Sequence, residues 1–167
     1  MPDKRTLKRA RKDKREGKSP STQAGEFVHE EMEHVREGKH GARSTKQAIA
    51  IGLSKARRAG VKLRPPRKGS SSVRTRKHAR RDYAKGQSRG SHRTSGRRSR
   101  AVSKALRREG HRAASHRALS RQAHRASRKR TASDRSRAAR KAARTKGSAE
   151  RSAAARKAAR TRQRHRS

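Results

Sequence analysis

The segment STKQAIAIGLSKARRAG, residues 44–60, carries the clearest structural signal in the chain. Ser44 is followed three residues later by Gln47, a spacing that fits the capping box at the start of many helices. The apolar side chains that then share one helical face are Ile49, Leu53 and Ala56. The segment therefore predicts an amphipathic helix whose apolar face needs a partner.

The partner that the sequence offers is the segment at residues 19–37, where Ser19 and Pro20 are typical of a helix start. The apolar side chains recurring every three or four residues are Ala24, Val28, Met32 and Val35, with Phe27 beside them. The opposite face carries the carboxylates of Glu26, Glu30, Glu31, Glu33 and Glu37. A short connection joins the segments, so we expect a helical hairpin at 19–63. Its acidic face would lie against Lys46, Lys55, Arg57 and Arg58.

The charge of the chain is extreme and uneven. Lys and Arg number 54 and Asp and Glu 12, giving a net charge of +42. Residues 1–63 hold 17 basic and 8 acidic side chains, whereas residues 64–167 hold 37 and 4, which gives +9 and +33. A chain with this excess repels itself, so its natural partner is a polyanion. We therefore expect the second part to bind DNA or RNA.

The second part also has few side chains with which to build a core. From residue 64 onward its large apolar or aromatic residues are Val73, Tyr83, Val102, Leu106 and Leu119. Ordering a residue costs about 1–2 kcal/mol, and low hydrophobicity with high charge is typical of disorder. The sequence thus predicts a mostly disordered chain with α-helical segments. The parts are a basic, solvated N-terminal segment at 1–18, the hairpin at 19–63, a Pro/Gly/Ser linker at 64–72 and a disordered polycationic tail at 73–167.

A tandem repeat occupies the end of the tail, at residues 134–145 and 150–161. Its cores, SRAARKAART at 136–145 and SAAARKAART at 152–161, agree at nine of ten positions. Ala, Arg and Lys favour helices, so we interpret the copies as two short phosphate-binding helices. The residues expected to contact nucleic acid are Arg57, Arg58, Arg137, Arg140, Lys141, Arg144, Arg156, Lys157 and Arg160.

The mode of binding follows from what the sequence lacks. It has no cysteine, one Tyr and one Phe, so neither zinc fingers of the cysteine type nor platforms for stacking bases are available. We expect non-sequence-specific binding to the phosphate backbone of DNA, as in histone-like or nucleoid-associated proteins. Two alternatives remain: an RNA-binding protein or RNA chaperone, and an adaptor whose hairpin recruits a protein partner or self-associates while the tail anchors it.

Other function classes find little support. His29 and His34 lie five residues apart, about 140° around a helix, so the pair cannot chelate one ion, and no metal site or cofactor is expected. Phosphate loops, dinucleotide fingerprints and paired catalytic carboxylates are missing, which predicts that the protein is not an enzyme. No segment approaches the length of a membrane span, and we expect a cytoplasmic, nucleoid location.

Residues 38–63 resemble the core of a family of small basic bacterial proteins of unknown function. The distinctive string is KHGARSTKQAIAIGLSKARRAG at residues 39–60, and the preceding KSPSTQAGEFV also fits. The resemblance covers roughly residues 1–90. It implies a bacterial, cytoplasmic protein of a kind often labelled simply as DNA-binding, and it supplies no catalytic residues. The tail resembles bacterial histone-H1-like proteins in composition only.

Overall fold

A computed structural model describes residues 2–88, 95–145 and 147–164. Within these ranges the helices are α1 (Lys4–Arg15), α2 (Pro20–Arg36), α3 (Thr45–Arg58), α4 (Val73–Gln87), α5 (Gly96–Arg107), α6 (His116–Arg128), α7 (Ala132–Thr145) and α8 (Ser148–Arg164), with a 3-10 turn at Arg112–Ala114. Two compact units divide the chain, Met1–Gln122 and Ala123–Ser167. No helix in the described ranges is long and apolar enough to cross a membrane.

The helices expected at 19–37 and 44–60 are present as α2 and α3, and they begin at the expected caps. The Ser19 hydroxyl accepts a hydrogen bond from the Thr22 amide, and the Ser44 hydroxyl accepts one from the Gln47 amide at 3.2 Å. The Gln47 side chain reaches back to accept from the Arg43 amide at 3.0 Å. Side chains thus satisfy one of the first backbone donors of α3, at Gln47, and the donor of Arg43 just before the helix.

Two small clusters make up the core around α2 and α3. The first contains Ala10, Ala24, Phe27, Ala56 and Val61, with Leu7, Leu53 and Leu63 against it. The second contains Met32, Val35, Ala42, Ala48, Ala113 and Ala114, with Val28, Ile49 and Leu119 against it. Half or more of the buried members are alanine, so the backbones must approach closely to exclude water.

α2 and α3 approach each other closely at Gly52. A Cβ built on Gly52 would lie 2.7 Å from the Val28 Cα and 3.0 Å from the Phe27 carbonyl oxygen. These are backbone atoms, which cannot move aside as the end of a flexible side chain would. Glycine at position 52 therefore permits the packing of α2 against α3.

The expectation of a solvated N-terminal segment at 1–18 is wrong. Residues 4–15 form α1, which packs on α2 and buries Thr6, Ala10 and Asp13. Arg9 Nε lies 2.9 Å from Glu26 Oε2, and the backbone amide of Asp3 donates to Glu30 Oε1 at 3.3 Å. The expectation failed because it counted apolar residues and gave no weight to charge pairing with the acidic helix.

The prediction of a mostly disordered chain, with a disordered tail at 73–167, is also wrong. α4 packs on α3, where buried Asp82 accepts hydrogen bonds from Ser54 Oγ at 2.6 Å and Arg58 Nε at 2.8 Å. The 3-10 turn packs on both hairpin helices, and the Ala113 carbonyl accepts a hydrogen bond from Thr45 Oγ1 at 2.6 Å. The sequence argument counted large apolar side chains, whereas alanine and hydrogen-bonded polar groups dock these segments.

The end of the tail is helical without burying a core. α7 and α8 consist mainly of Ala, Arg, Lys and Ser, and described side chains in both helices are exposed, with half-buried Asp134 the exception. Thr131 caps α7, since its hydroxyl accepts a hydrogen bond from the Asp134 amide at 3.1 Å. High intrinsic helix propensity and this cap outweigh the repulsion between like charges.

We expect Gly52→Ala to destabilise the N-terminal unit by about 1–3 kcal/mol, because the new methyl group overpacks the contact with the α2 backbone. Gly25→Ala is the matched control, since Gly25 lies on α2 with nothing within 4 Å of a built Cβ. The control should stabilise α2 by about 0.5–1 kcal/mol through helix propensity.

Denaturant unfolding followed by the fluorescence of Tyr83, the chain's single tyrosine, measures both variants in the unit that contains α4. Equal stabilisation by the two substitutions would show that α2 and α3 do not pack at Gly52.

Candidate nucleic-acid interface

α7 carries most of its cations on one face. At about 100° per residue, four of its five Lys and Arg residues fall within an arc of about 100°. These four are Arg137, Arg140, Lys141 and Arg144, and all of them are exposed. Four of the alanines, Ala138, Ala139, Ala142 and Ala143, occupy the opposite side. The repeat thus produces a cationic face along eight residues of helix, 137–144.

One carboxylate lies beside this face. Asp134 accepts hydrogen bonds from the Arg137 guanidinium and from the Thr131 hydroxyl at 2.9 Å. The bond from Arg137, followed by those from Thr131, holds the pKa of the Asp134 carboxyl below its ordinary value. Asp134 therefore stays ionised and offsets part of the Arg137 charge, so Arg140, Lys141 and Arg144 make up most of the cationic face.

The second copy repeats the arrangement in α8. Arg156, Lys157 and Arg160 fall within the same arc as their counterparts in α7, and Arg164 extends it by one turn. Described side chains of α8 are all exposed. Its acidic residue, Glu150, lies in the first turn, where a negative charge suits the helix dipole. Both copies therefore present three or four cations to solvent in the same pattern.

Arg57 has a different environment from the predicted site residues in the repeat. It is 7% exposed, its Nε donates to the Leu63 carbonyl at 3.2 Å, and its Nη1 donates to the Leu53 carbonyl at 3.5 Å. Burial lowers the pKa of the guanidinium, and the nearby Asp82 carboxylate opposes that shift. The Arg57 side chain stabilises the end of α3 and is not presented to a phosphate.

Arg58 is half exposed but already paired. Its Nε donates to Asp82 Oδ1 at 2.8 Å, and the Asp82 carboxylate is largely buried between α3 and α4. The nine predicted contact residues therefore fall into two groups. Seven lie exposed on α7 and α8, whereas Arg57 and Arg58 form part of the packing of the N-terminal unit.

Sequence reasoning missed a second cationic face, on α1. Lys4, Lys8, Arg11 and Arg15 recur at spacings of four, three and four residues, which places them on one side of the helix, and all are exposed. That spacing could have identified the face from the sequence. It was overlooked because the segment was interpreted as an unstructured tail.

The acidic helix α2 was expected to lie against Lys46, Lys55, Arg57 and Arg58, and two of its carboxylates are buried. Glu30 and Glu31 are 2% and 0% exposed, and Lys55 Nζ lies 2.6 Å from Glu31 Oε2. Of the expected basic partners, Lys55 makes this contact. Glu30 and Glu31 are buried because α1 and α3 cover the side of α2 that carries them.

Comparison with known protein families finds a similarity in the N-terminal part of the chain. Residues 5–69 are similar to the model of a family described as a family of unknown function, DUF6496. The matched residues include α1, α2 and α3 and end before α4. No curated protein and no solved structure matches the chain.

Arg57→Ala and Arg140→Ala compare the loss of a buried arginine with the loss of an exposed one, and so test whether Arg57 stabilises the fold. We expect Arg57→Ala to lower the free energy of unfolding by about 1–3 kcal/mol, because a buried side chain and its hydrogen bonds to the Leu53 and Leu63 carbonyls are lost. Arg140→Ala should change it by less than about 0.5 kcal/mol, as is usual for an exposed position. Denaturant titration monitored by Tyr83 fluorescence and by helical circular dichroism measures both. A stable Arg57→Ala protein would refute the packing role of Arg57.

Proposed function

We propose that the protein binds DNA through the phosphate backbone without reading its sequence, and that α7 and α8 make the main contacts. The observation that carries this proposal is the exposed cationic face that both helices share. Together the two helices hold eleven Lys and Arg residues and two carboxylates. Few local carboxylates compete with phosphate for these cations.

The driving force is electrostatic. Each phosphate neutralised by Lys or Arg releases condensed counterions, which gives affinity that depends steeply on salt. Arginine, which predominates on both helices, also binds phosphate through two parallel hydrogen bonds. Phosphate binding would in addition relieve the repulsion between like charges four residues apart, such as Arg140 and Arg144.

The shape of the helices favours duplex DNA over duplex RNA. An α-helix is about 10–12 Å across, which suits a B-DNA major groove about 12 Å wide. Alanine on the face away from the cations keeps α7 at the slim end of that range. The major groove of A-form RNA is too narrow for side chains to enter, so structured RNA would contact the helices less fully.

The lack of sequence preference follows from the exposure of both helices. A protein that reads bases must hold several side chains in fixed positions at the base edges. Described side chains of α7 and α8 are not locked by packing, and neither helix contains an aromatic residue for stacking. Affinity would therefore come from charge and be similar for unrelated sequences.

The adaptor alternative has less support. The apolar faces of α2 and α3 are used within the N-terminal unit, where α1, α4 and the 3-10 turn pack on them. Among the residues described, the large apolar side chains recorded as exposed are Val73 and Val102, which lie on different helices. Scattered apolar residues of this kind are normal on a protein surface.

A four-fold variant, with Arg137, Arg140, Lys141 and Arg144 replaced by Gln, tests the location of the contacts. We expect the slope of log K against log[salt] to become shallower by about 3–4, since each lost phosphate contact contributes about 0.9. Fluorescence anisotropy with two unrelated DNA duplexes and one structured RNA of equal length, over a series of salt concentrations, measures the slope.

The matched control replaces Lys4, Lys8, Arg11 and Arg15 of α1 by Gln, which removes the same charge from another exposed face. It should change the slope by less than half as much. An equal loss in the control would show that contacts are spread over the chain. A preference above about a thousandfold for one duplex, the low end for specific binders, would overturn the non-specific mode. Tighter binding to the RNA than to both duplexes would favour the RNA alternative.

A further inference from the structure

A buried carboxylate on α2 is incompletely satisfied. Glu31 has no solvent exposure, and neither of its oxygens accepts a hydrogen bond of acceptable geometry from the described residues. Oε2 has an ion-pair contact with Lys55 Nζ at 2.6 Å. Oε1 has a different neighbour, the Nε2 atom of His40, at 3.3 Å. A buried carboxylate oxygen in this position requires a cation or a donor.

The hydrogen bonding of His40 shows whether its Nε2 atom can donate a proton to Glu31 Oε1. His40 Nδ1 lies 3.1 Å from the Gly41 carbonyl oxygen, which can only accept, so Nδ1 carries the proton. In the neutral imidazole Nε2 is then an acceptor, and it faces the Oε1 acceptor of Glu31. A metal-bound histidine typically has this arrangement, in which the other ring nitrogen donates to a backbone carbonyl.

His34 completes a set of three ligands. Glu31, His34 and His40 each place one ligand atom within 4.8 Å of the other two. The two imidazole rings lie edge to face, with centroids 6.1 Å apart. Bonds of about 2.0–2.1 Å in a tetrahedral zinc site put neighbouring ligand atoms about 3.3 Å apart. The distance from His40 Nε2 to Glu31 Oε1 already has this value.

The local charge also favours a divalent cation. Asp3, Glu30 and Glu31 bring three carboxylates to this region, and Lys55 is the ammonium group in contact with the buried pair. With both histidines neutral, the three carboxylates and the Lys55 ammonium group have a net charge of −2, in a chain whose net charge is +42. One divalent ion would balance that excess.

From these contacts we infer that Glu31, His34 and His40 form a binding site for one divalent transition-metal ion, for which Zn²⁺ is the best match. Two imidazoles and one carboxylate are ligands that zinc accepts, and three protein ligands leave a fourth position for water. Glu31 and His34 come from α2, and His40 comes from the connection to α3. The ion would therefore fix that connection against the helix.

A neighbouring set of side chains shares His34. Asp3, Glu30 and His34 also place ligand atoms within 4.8 Å of one another. In that set the Asp3 side chain is 57% exposed, and Glu30 Oε1 already accepts the Asp3 amide. Glu30 Oε2 also accepts no hydrogen bond, but the set containing Glu31 is more buried and both oxygens of its carboxylate are unsatisfied, so it is the stronger ligand set.

Zinc binding to the full chain, freed of nucleic acid by nuclease and high salt, tests the site. Isothermal titration calorimetry with Zn²⁺ should show one tight site per chain. The double variant H34N/H40N should bind that equivalent at least about 10–100-fold more weakly. His29→Asn is the matched control, because His29 lies on the same helix, is 58% exposed and belongs to neither set. It should bind as the parent does.

Two further measurements do not depend on the folding of the double variant. X-ray absorption of the zinc-loaded parent protein should show two imidazole ligands. In a separate thermal melt, Zn²⁺ should raise the melting temperature of the parent protein and of the His29→Asn variant. The site is refuted if the parent shows no tight equivalent, if fewer than two imidazoles are seen, or if H34N/H40N binds like the parent. It is refuted in favour of the neighbouring set if Asp3→Asn abolishes binding while His40→Asn does not.

Discussion

The N-terminal unit depends on the carboxylates of Glu30 and Glu31, which are buried between α1, α2 and α3. Two buried negative charges cost several kcal/mol in lost hydration unless they are compensated. Lys55 on α3 supplies the nearest positive charge, and the Asp3 amide at the start of α1 donates to Glu30. These contacts fix α1 and α3 on α2. An alanine-rich core alone would leave their relative positions poorly determined.

The same pairing divides the protein electrostatically. Most carboxylates of the chain lie before residue 64, and several are paired there: Glu26 with Arg9, Glu37 with Lys39, and Asp13 with Lys18. Asp82 extends this to α4 through Arg58 and Ser54. α7 and α8 hold one carboxylate each against eleven Lys and Arg residues, so cations far outnumber carboxylates there. Charge pairing thus stabilises the first unit. In the second unit, the excess of cations over carboxylates is the basis of the proposed function.

The sequence predicted α2 and α3 because their caps and apolar spacing are local signals. It also predicted the cationic repeat, which depends on composition.

Prediction from the sequence failed where contacts join residues that are distant along the chain. α4 docks through buried Ala79 and Asp82. The 3-10 turn docks through alanines and through hydrogen bonds from Thr45 and Arg36. None of these contacts has a recognisable pattern in the sequence. Glu31 and His34 have the three-residue spacing that puts two ligands on one helical face, but His40 has no such spacing to either, because the connection after α2 must fold back before His40 meets them. Arg57 was assigned to phosphate binding since its burial cannot be seen from composition.

The central claim, that α7 and α8 make the main contacts with DNA and that the buried helices α2 and α3 do not, is tested most directly by amide hydrogen exchange with and without saturating duplex DNA. The account predicts slower exchange across 132–164 in the complex and unchanged exchange across α2 and α3. Slower exchange confined to α2 and α3, with none at α7 and α8, would contradict it.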